Sequence, residues 1–115
     1  LNITRHPELD NENYSGNNNK NARKMLNKLI KDNNFHDHMR EKNPKKNIFT
    51  YYSYQGKQRA RLDYIFHSDE LNHAVTDSYL LEMPISVRHC LIGQVFSRCS
   101  GTISDPEIGV FLVLG

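Results

Sequence analysis

Residues 60–67 read Ala60-Arg61-Leu62-Asp63-Tyr64-Ile65-Phe66-His67. This density of aromatic and branched residues predicts a β-strand, with side chains 62, 64 and 66 on one face and 61, 63 and 65 on the other. A carboxylate in the middle of such a strand is unfavourable unless it is exposed or paired. Two interpretations of Asp63 stay open: a surface carboxylate bonded to Arg61 or Arg59, or a buried acceptor that orients a histidine.

The residues around this strand predict a mixed α/β chain. Residues 48–54 form a second strand, and the turn at Gln55-Gly56-Lys57 joins the two into a hairpin. A helical turn from residue 68 and strands at 75–81 and 89–96 follow. Residues 1–18 are predicted to be an irregular, Asn-rich segment. After residue 96 the composition changes, so residues 97–115 are predicted to be a tail outside the conserved fold.

One helix is predicted upstream of the hairpin, and it ends near Asn33-Asn34. Its apolar residues are spaced by three and four, which places them on one stripe of a helix. We expect this stripe to pack on the sheet. The residues are Ala22, Met25, Leu26, Leu29 and Ile30.

His89 is the candidate partner of Asp63, because it stands where a loop enters a strand. An aspartate that accepts from one ring nitrogen fixes the tautomer and makes the other nitrogen more basic. The triplet His36-Asp37-His38 suggests a metal site, but no further ligands follow at a usual spacing, so a solvated connection is the preferred interpretation.

Composition limits the class of protein. The chain has 115 residues, which is room for one small domain or a piece of a larger one. Its hydrophobic fraction of 37% is below the usual range for a self-sufficient domain, which favours a fragment or a domain that depends on a partner. Two cysteines form neither a disulfide framework nor a zinc site, which favours an intracellular, nuclear or cytoplasmic protein. No stretch is long and apolar enough to span a membrane. The net charge is +2, but Lys57, Arg59 and Arg61 form a local cluster suited to phosphate contacts.

Three segments together resemble the C-terminal part of the endonuclease/exonuclease/phosphatase (DNase I-like) superfamily, in a form similar to the endonuclease domain of non-LTR retrotransposons and to abasic-site endonucleases. That family has an aromatic strand with a Phe-Thr start, then a strand with Leu-Asp-Tyr, then Ser-Asp-His at the opening of the last strand. The segments here are Phe49-Thr50-Tyr51-Tyr52, Arg61-Leu62-Asp63-Tyr64-Ile65-Phe66, and Ser86 with His89-Cys90-Leu91-Ile92. The resemblance covers residues 1–96, and Leu1-Asn2 resembles the end of the family's Gly-Asp-Leu-Asn motif.

The resemblance implies a DNase I-like α/β sandwich of which this chain supplies one half, a mixed sheet with covering helices. It implies an Mg²⁺- or Mn²⁺-dependent phosphodiesterase of the endonuclease type acting on nucleic acid, with DNA as the expected partner. Asp63 would orient His89, Asn2 would bind a phosphoryl oxygen, and the basic cluster would contact the nucleic acid backbone. The metal ligands would belong to the N-terminal half of the domain.

Arg88 departs from the family pattern, because it stands beside His89 where the family has an aspartate. A cation in place of an anion reverses the local field that would hold a metal. The alternative interpretation is therefore a non-catalytic remnant that binds nucleic acid or protein. We predict that this chain by itself does not cleave DNA.

Overall fold

The computed structural model describes residues 3–13, 20–53, 56–82, 88–97 and 111–114, which form short helices and small antiparallel sheets of an α+β chain. The helices are α1 (Pro7–Asp10), α2 (Lys20–Asp32), α3 (His38–Lys42) and a 3₁₀ helix (Asp69–Ala74). The strands are β1 (Asn11–Glu12), β2 (Phe35–His36), β3 (Tyr51–Tyr52), β4 (Arg59–Ala60), β5 (Tyr64–Ser68), β6 (Val75–Leu81), β7 (Leu91–Phe96) and β8 (Phe111–Leu114). Three sheets have the strand orders β1-β4-β3, β2-β5-β8 and β6-β7. Among the described residues no helix has the length and apolarity needed to cross a bilayer.

The core lies between α2 and β5. Leu26 and Ile30 of the helix are buried against Tyr64 and Phe66 of the strand, as the stripe predicted. The stripe is narrower than predicted, because Leu29 is 45% exposed and Met25 is 72% exposed. The residues that face the sheet are four apart, at 22, 26 and 30, and therefore form one row along the helix.

The predicted hairpin is present, but its second strand is interrupted. Tyr51 pairs with Ala60 and Tyr52 pairs with Arg59 in antiparallel register. The ladder then stops, and residues 64–68 continue as β5 in a different sheet. Residues 61–63 between the two strands have their amide hydrogens bound outside any ladder, as described below.

The strands predicted at 75–81 and 89–96 are both present. They form β6 and β7, which pair antiparallel along their length from Val75↔Phe96 to Leu81↔Leu91. The helical turn predicted from residue 68 is the 3₁₀ helix. His89 precedes β7 and forms an isolated bridge with Tyr51.

One prediction about the ends of the chain needs correction. The segment at 3–13 is not irregular, because it contains α1 and β1 and buries Ile3, Thr4 and Asp10. In the predicted tail, Phe111–Leu114 pairs with β5 as an edge strand, from Tyr64↔Leu114 to His67↔Phe111, and the boundary after residue 96 stays a prediction. A change of composition along the chain does not predict whether a short apolar segment pairs with a distant strand.

Candidate functional site

Asp63 and His89 meet at the junction between the sheets. The His89 Nδ1 atom lies 2.9 Å from Asp63 Oδ2, so the predicted hydrogen bond is confirmed. The Asp63 side chain is 15% exposed, whereas that of His89 is 44% exposed. The alternative in which Asp63 pairs with Arg61 or Arg59 is wrong, because these two arginines bind Asp37 and Glu12. We call Asp63 and His89 the dyad.

Thr50 holds the backbone on both sides of the dyad. Its buried hydroxyl oxygen accepts hydrogen bonds from the amides of Leu62, at 3.0 Å, and Asp63, at 3.1 Å. Its carbonyl oxygen accepts from the amide of Cys90 at 2.7 Å. Thr50 therefore fixes the backbone of the residue that carries the carboxylate and the backbone next to the residue that carries the imidazole. The Phe-Thr-aromatic motif contained this residue, but sequence reasoning gave it no role.

Tyr51 limits the orientation of the imidazole. Its backbone bridges to that of His89, and the two rings lie with their centroids 5.2 Å apart at an angle of 57°. The ring of His89 is therefore held by a hydrogen bond at one nitrogen and by an aromatic contact with a neighbouring side chain.

The arrangement defines what the imidazole can do. A carboxylate accepts hydrogen bonds and donates none, so Nδ1 of neutral His89 carries the hydrogen and Nε2 has a free lone pair. No hydrogen bond joins Nε2 to any residue within the described part of the chain. An exposed basic nitrogen whose tautomer is fixed by a carboxylate is suited to accept a proton from water or from a hydroxyl group.

The three basic residues of the predicted contact cluster do not act together. Lys57 and Arg59 are exposed, as a contact with nucleic acid requires. Arg61 is 1% exposed, so its assignment as a contact residue is wrong. The reason is the interruption between β4 and β5, which turns its side chain into the interior.

Exposed charge also lies on the other face of this sheet, because Tyr52 points away from the side on which Tyr51 contacts His89. Arg59 pairs with Tyr52 across the ladder, and its guanidinium lies 5.8 Å from the centre of the Tyr52 ring. The Tyr52 amide donates to the carbonyl of Arg88 at 2.9 Å, so the backbone of exposed Arg88 adjoins that of Tyr52 on the side away from Arg59. We call Arg59, Tyr52 and Arg88 the arginine row. Arg59 also lies 3.6 Å from Glu12, so part of its charge is balanced.

A buried ion network was missed by sequence reasoning. Arg61 donates to both oxygens of Asp37, at 2.8 and 2.5 Å, and Arg5 donates to the same carboxylate at 3.0 Å. Burial by itself would raise the pKa of Asp37, but the charges and hydrogen bonds of Arg61 and Arg5 outweigh it and lower the pKa. The preferred interpretation of residues 36–38 as a solvated connection is wrong for Asp37, which is 5% exposed.

A second buried pair joins α1 to α3. Arg40 donates to Asp10 at 2.6 Å, and the carboxylate of Asp10 is fully buried. The amide of Arg61 donates to the carbonyl oxygen of Asp10 at 2.8 Å. The segment that leads into Asp63 is therefore held by side-chain and loop contacts where a sheet ladder is lacking. Nothing in the local pattern marked Asp10 or Asp37 as interior residues.

The dyad does not fit a metal site by its own residues. In the described ranges, no group of three or more His, Cys, Asp and Glu side chains is arranged to hold a metal ion. Asp63 is engaged by His89, and the neighbouring Arg88 is cationic. The predicted site residue Asn2 and the motif residue Ser86 lie outside the described residues.

Comparison with protein-family models, with curated proteins and with solved structures gave no match to this chain.

Proposed function

We propose that this chain is part of a metal-dependent phosphodiesterase domain of the endonuclease/exonuclease/phosphatase type, related to the endonucleases of non-LTR retrotransposons, and that the dyad is its acid–base pair. The observation that carries the proposal is the 2.9 Å contact between Asp63 and His89. These residues stand 26 positions apart, and they are two of the three residues, with Asn2, that the family resemblance assigns to catalysis. The contact supports the proposal because the resemblance required it.

The dyad supplies proton transfer. Asp63 holds His89 in the tautomer with a basic Nε2, and the exposed imidazole then accepts a proton from a water molecule at the phosphorus. In its protonated form, His89 stabilises negative charge on a phosphoryl oxygen. General acid–base catalysis of this kind contributes about 10²–10⁴-fold to a rate. The Mg²⁺ or Mn²⁺ of the family stays an implication of the resemblance, and the residues at the dyad do not provide its ligands.

The exposed charge of the hairpin and of the neighbouring segment supports a substrate class. The Arg59 guanidinium lies over the Tyr52 ring, Lys57 is a second exposed cation of the hairpin, and exposed Arg88 adjoins Tyr52 through the backbone. Arginine and lysine neutralise phosphates, while a tyrosine ring offers a surface for stacking with a base or a sugar. We propose DNA as the substrate.

Arg88 favours a second candidate function, which is nucleic acid binding without cleavage. Its exposed guanidinium adds positive charge next to His89, where the family resemblance calls for an aspartate. This charge attracts a phosphate and repels a divalent cation. A remnant of the domain that binds nucleic acid without cleaving it would depend on the arginine row and would not require the dyad.

The experiment is a titration of the 115-residue chain with a short DNA duplex, followed through the ring resonances of its histidines by NMR. We expect the His89 ring signals to shift, and we expect Arg59→Met to weaken the binding. Binding that leaves His89 unchanged would favour the second candidate. A chain that binds no DNA would overturn both.

Cleavage is tested with supercoiled and abasic DNA in the presence of Mg²⁺ or Mn²⁺. We expect the isolated chain to be inactive, because phosphodiester cleavage depends mainly on charge stabilisation that the dyad does not supply. His89→Ala is the control. Cleavage that disappears in this variant would show that a partner or an oligomer completes the site, and the prediction of inactivity would then be wrong.

A further inference from the structure

A second cluster of titratable groups lies at the end of β5 remote from Asp63. His36 of β2 pairs in register with His67 of β5, and their rings are stacked, with centroids 5.2 Å apart and an angle of 11°. Neither histidine contacts the dyad or the arginine row in any described hydrogen bond. The two rings have different hydrogen-bond partners, and these partners determine whether each ring is protonated or neutral.

His36 is held between two carboxylates. Its Nδ1 lies 2.9 Å from Glu41 Oε1 on α3, and its Nε2 lies 2.8 Å from Asp69 Oδ1 on the 3₁₀ helix. A carboxylate only accepts, so both ring nitrogens must donate. Neutral imidazole has one N–H, and the imidazolium has two. The geometry therefore requires His36 to be protonated.

His67 is arranged as a neutral ring. Its Nε2 lies 2.9 Å from the side-chain oxygen of Asn72, to which it donates, and its Nδ1 accepts from the amide nitrogen of Gln94 at 3.4 Å. One donor and one acceptor match the neutral tautomer. His67 is fully buried, and a second positive charge beneath the charged ring of His36 would be unfavourable.

The pKa directions agree with this assignment. Burial by itself would lower the pKa of His36, but the hydrogen bonds and charges of Asp69 and Glu41 outweigh it and raise the pKa. Burial lowers the pKa of His67, the charge of His36 lowers it further, and the bond to Asn72 offsets this only in part.

The charged and titratable groups around the pair come from three neighbouring helices. Glu41 and His38 lie on α3, Asp69 lies on the 3₁₀ helix, and Lys31 of α2 lines the same cleft. This cleft has a volume of about 400 Å³ and is also lined by Ile30 and Phe35.

We propose that His36 and His67 form a pH-dependent clamp. Protonated His36 joins α3 to the 3₁₀ helix by donating to Glu41 and to Asp69, and loss of its proton breaks one of these two hydrogen bonds. A neutral His36 keeps one N–H, so its other nitrogen would present a lone pair to a carboxylate. That contact is repulsive, and either Glu41 or Asp69 must move away, which opens the cleft. The ligand of this site is a proton, and the site is independent of phosphodiester chemistry.

The direction of the pH effect follows from linkage. The folded-state pKa of His36 is raised, so its contribution to stability is complete below the ordinary value of 6.5 and is lost as pH rises through the folded value. The folded-state pKa of His67 is lowered, so its contribution is present above 6.5 and is lost as pH falls through the folded value. The two contributions together favour the closed clamp near neutral pH.

The test is an NMR titration of the ring nitrogens of His36 and His67 in the full chain. We expect His36 to carry hydrogen on both nitrogens at pH 7 and to titrate above 6.5, and we expect His67 to stay neutral and titrate below 6.5. Glu41→Gln and Asp69→Asn should each shift the His36 midpoint downward. Both side chains are largely exposed, so these variants keep the core.

Glu70→Gln is the matched control, because Glu70 is the exposed neighbour of Asp69 on the same 3₁₀ helix. We expect it to leave the His36 midpoint unchanged. Amide hydrogen exchange in the 3₁₀ helix, corrected for the intrinsic effect of pH, should lose protection as His36 loses its proton. A wild-type His36 midpoint at or below 6.5, or a midpoint that responds to only one of the two carboxylates, would overturn the clamp.

Discussion

The Thr50 hydroxyl accepts hydrogen bonds from the amides of Leu62 and Asp63, two donors that lie outside any strand ladder. Thr50→Val keeps the shape of the side chain and removes the acceptor. We expect it to lower the free energy of unfolding by about 1–3 kcal/mol, because buried donors are left without partners. Urea denaturation measures this loss. Thr50→Ser keeps the hydroxyl, so a serine variant as unstable as the valine variant would contradict the assigned role.

Arg59 and Arg61 are two positions apart and have different tasks. Removal of buried Arg61, as in Arg61→Met, leaves the Asp37 carboxylate with one partner fewer in the interior. We expect a loss of about 3–5 kcal/mol in unfolding free energy. Arg59→Met removes an exposed side chain, and we expect a change within about 0.5 kcal/mol together with weaker DNA binding. Equal destabilisation by the two variants in urea would contradict the buried ion network.

Sequence reasoning found the dyad from residue types and from the family resemblance, and it misplaced Arg61. Alternation along a strand assumes that the ladder continues, and here it stops at Ala60. Residues 61–63 bond to Asp10 and Thr50, which are distant in sequence. A pattern with a period of two residues cannot report such a change of partner.

At the scale of the elements, α2 shows how a predicted stripe divides into a buried row and an exposed row. Leu26→Ala removes a side chain that is 8% exposed and packs on the core. We expect a loss of about 2–5 kcal/mol in the free energy of unfolding. Met25→Ala, one residue earlier and 72% exposed, should change it by no more than about 0.5 kcal/mol. Thermal and urea unfolding of the two variants separate these outcomes, and a costly Met25→Ala would show that this side chain is covered.

Long elements were predictable from pattern, and short ones were not. The seven residues of β6 and the helix α2 carry enough residues for a periodicity to be read. α1 has four residues, and its terminal aspartate accepts a local hydrogen bond from the His6 amide and a tertiary one from Arg40. β8 is likewise stabilised by pairing with β5. Such elements depend on the rest of the chain, so their own sequence is a weak signal.

At the scale of the molecule, buried ion pairs join segments that are far apart in the chain, and this sets the response to acid. The folded-state pKa of Asp37 is lowered from 3.8, so its contribution to stability is present above pH 3.8 and is lost as pH falls through the folded value. We therefore expect the urea concentration at the unfolding midpoint of the wild-type chain to decrease as the pH falls below 3.8.

Asp37→Asn should remove part of this acid dependence along with part of the stability. Asp32→Asn, an exposed carboxylate at the end of α2, is the matched control and should keep the wild-type profile. Urea midpoints measured at intervals from pH 6 to pH 2 compare the three chains. Identical acid profiles for the wild type and Asp37→Asn would show that Asp37 is not the group responsible.

Five of the arginines that the structure describes form two groups that ionic strength will distinguish. Arg5, Arg40 and Arg61 pair with carboxylates in the interior, where mobile ions do not enter and screening is weak. Arg59 and Arg88 face solvent, where the Debye length is about 8 Å at physiological salt. A strand bound along the arginine row would release condensed counterions, with a slope of log affinity against log salt of about −0.9 for each phosphate neutralised on duplex DNA. Added salt should therefore detach a nucleic acid from this surface long before it loosens the fold beneath it.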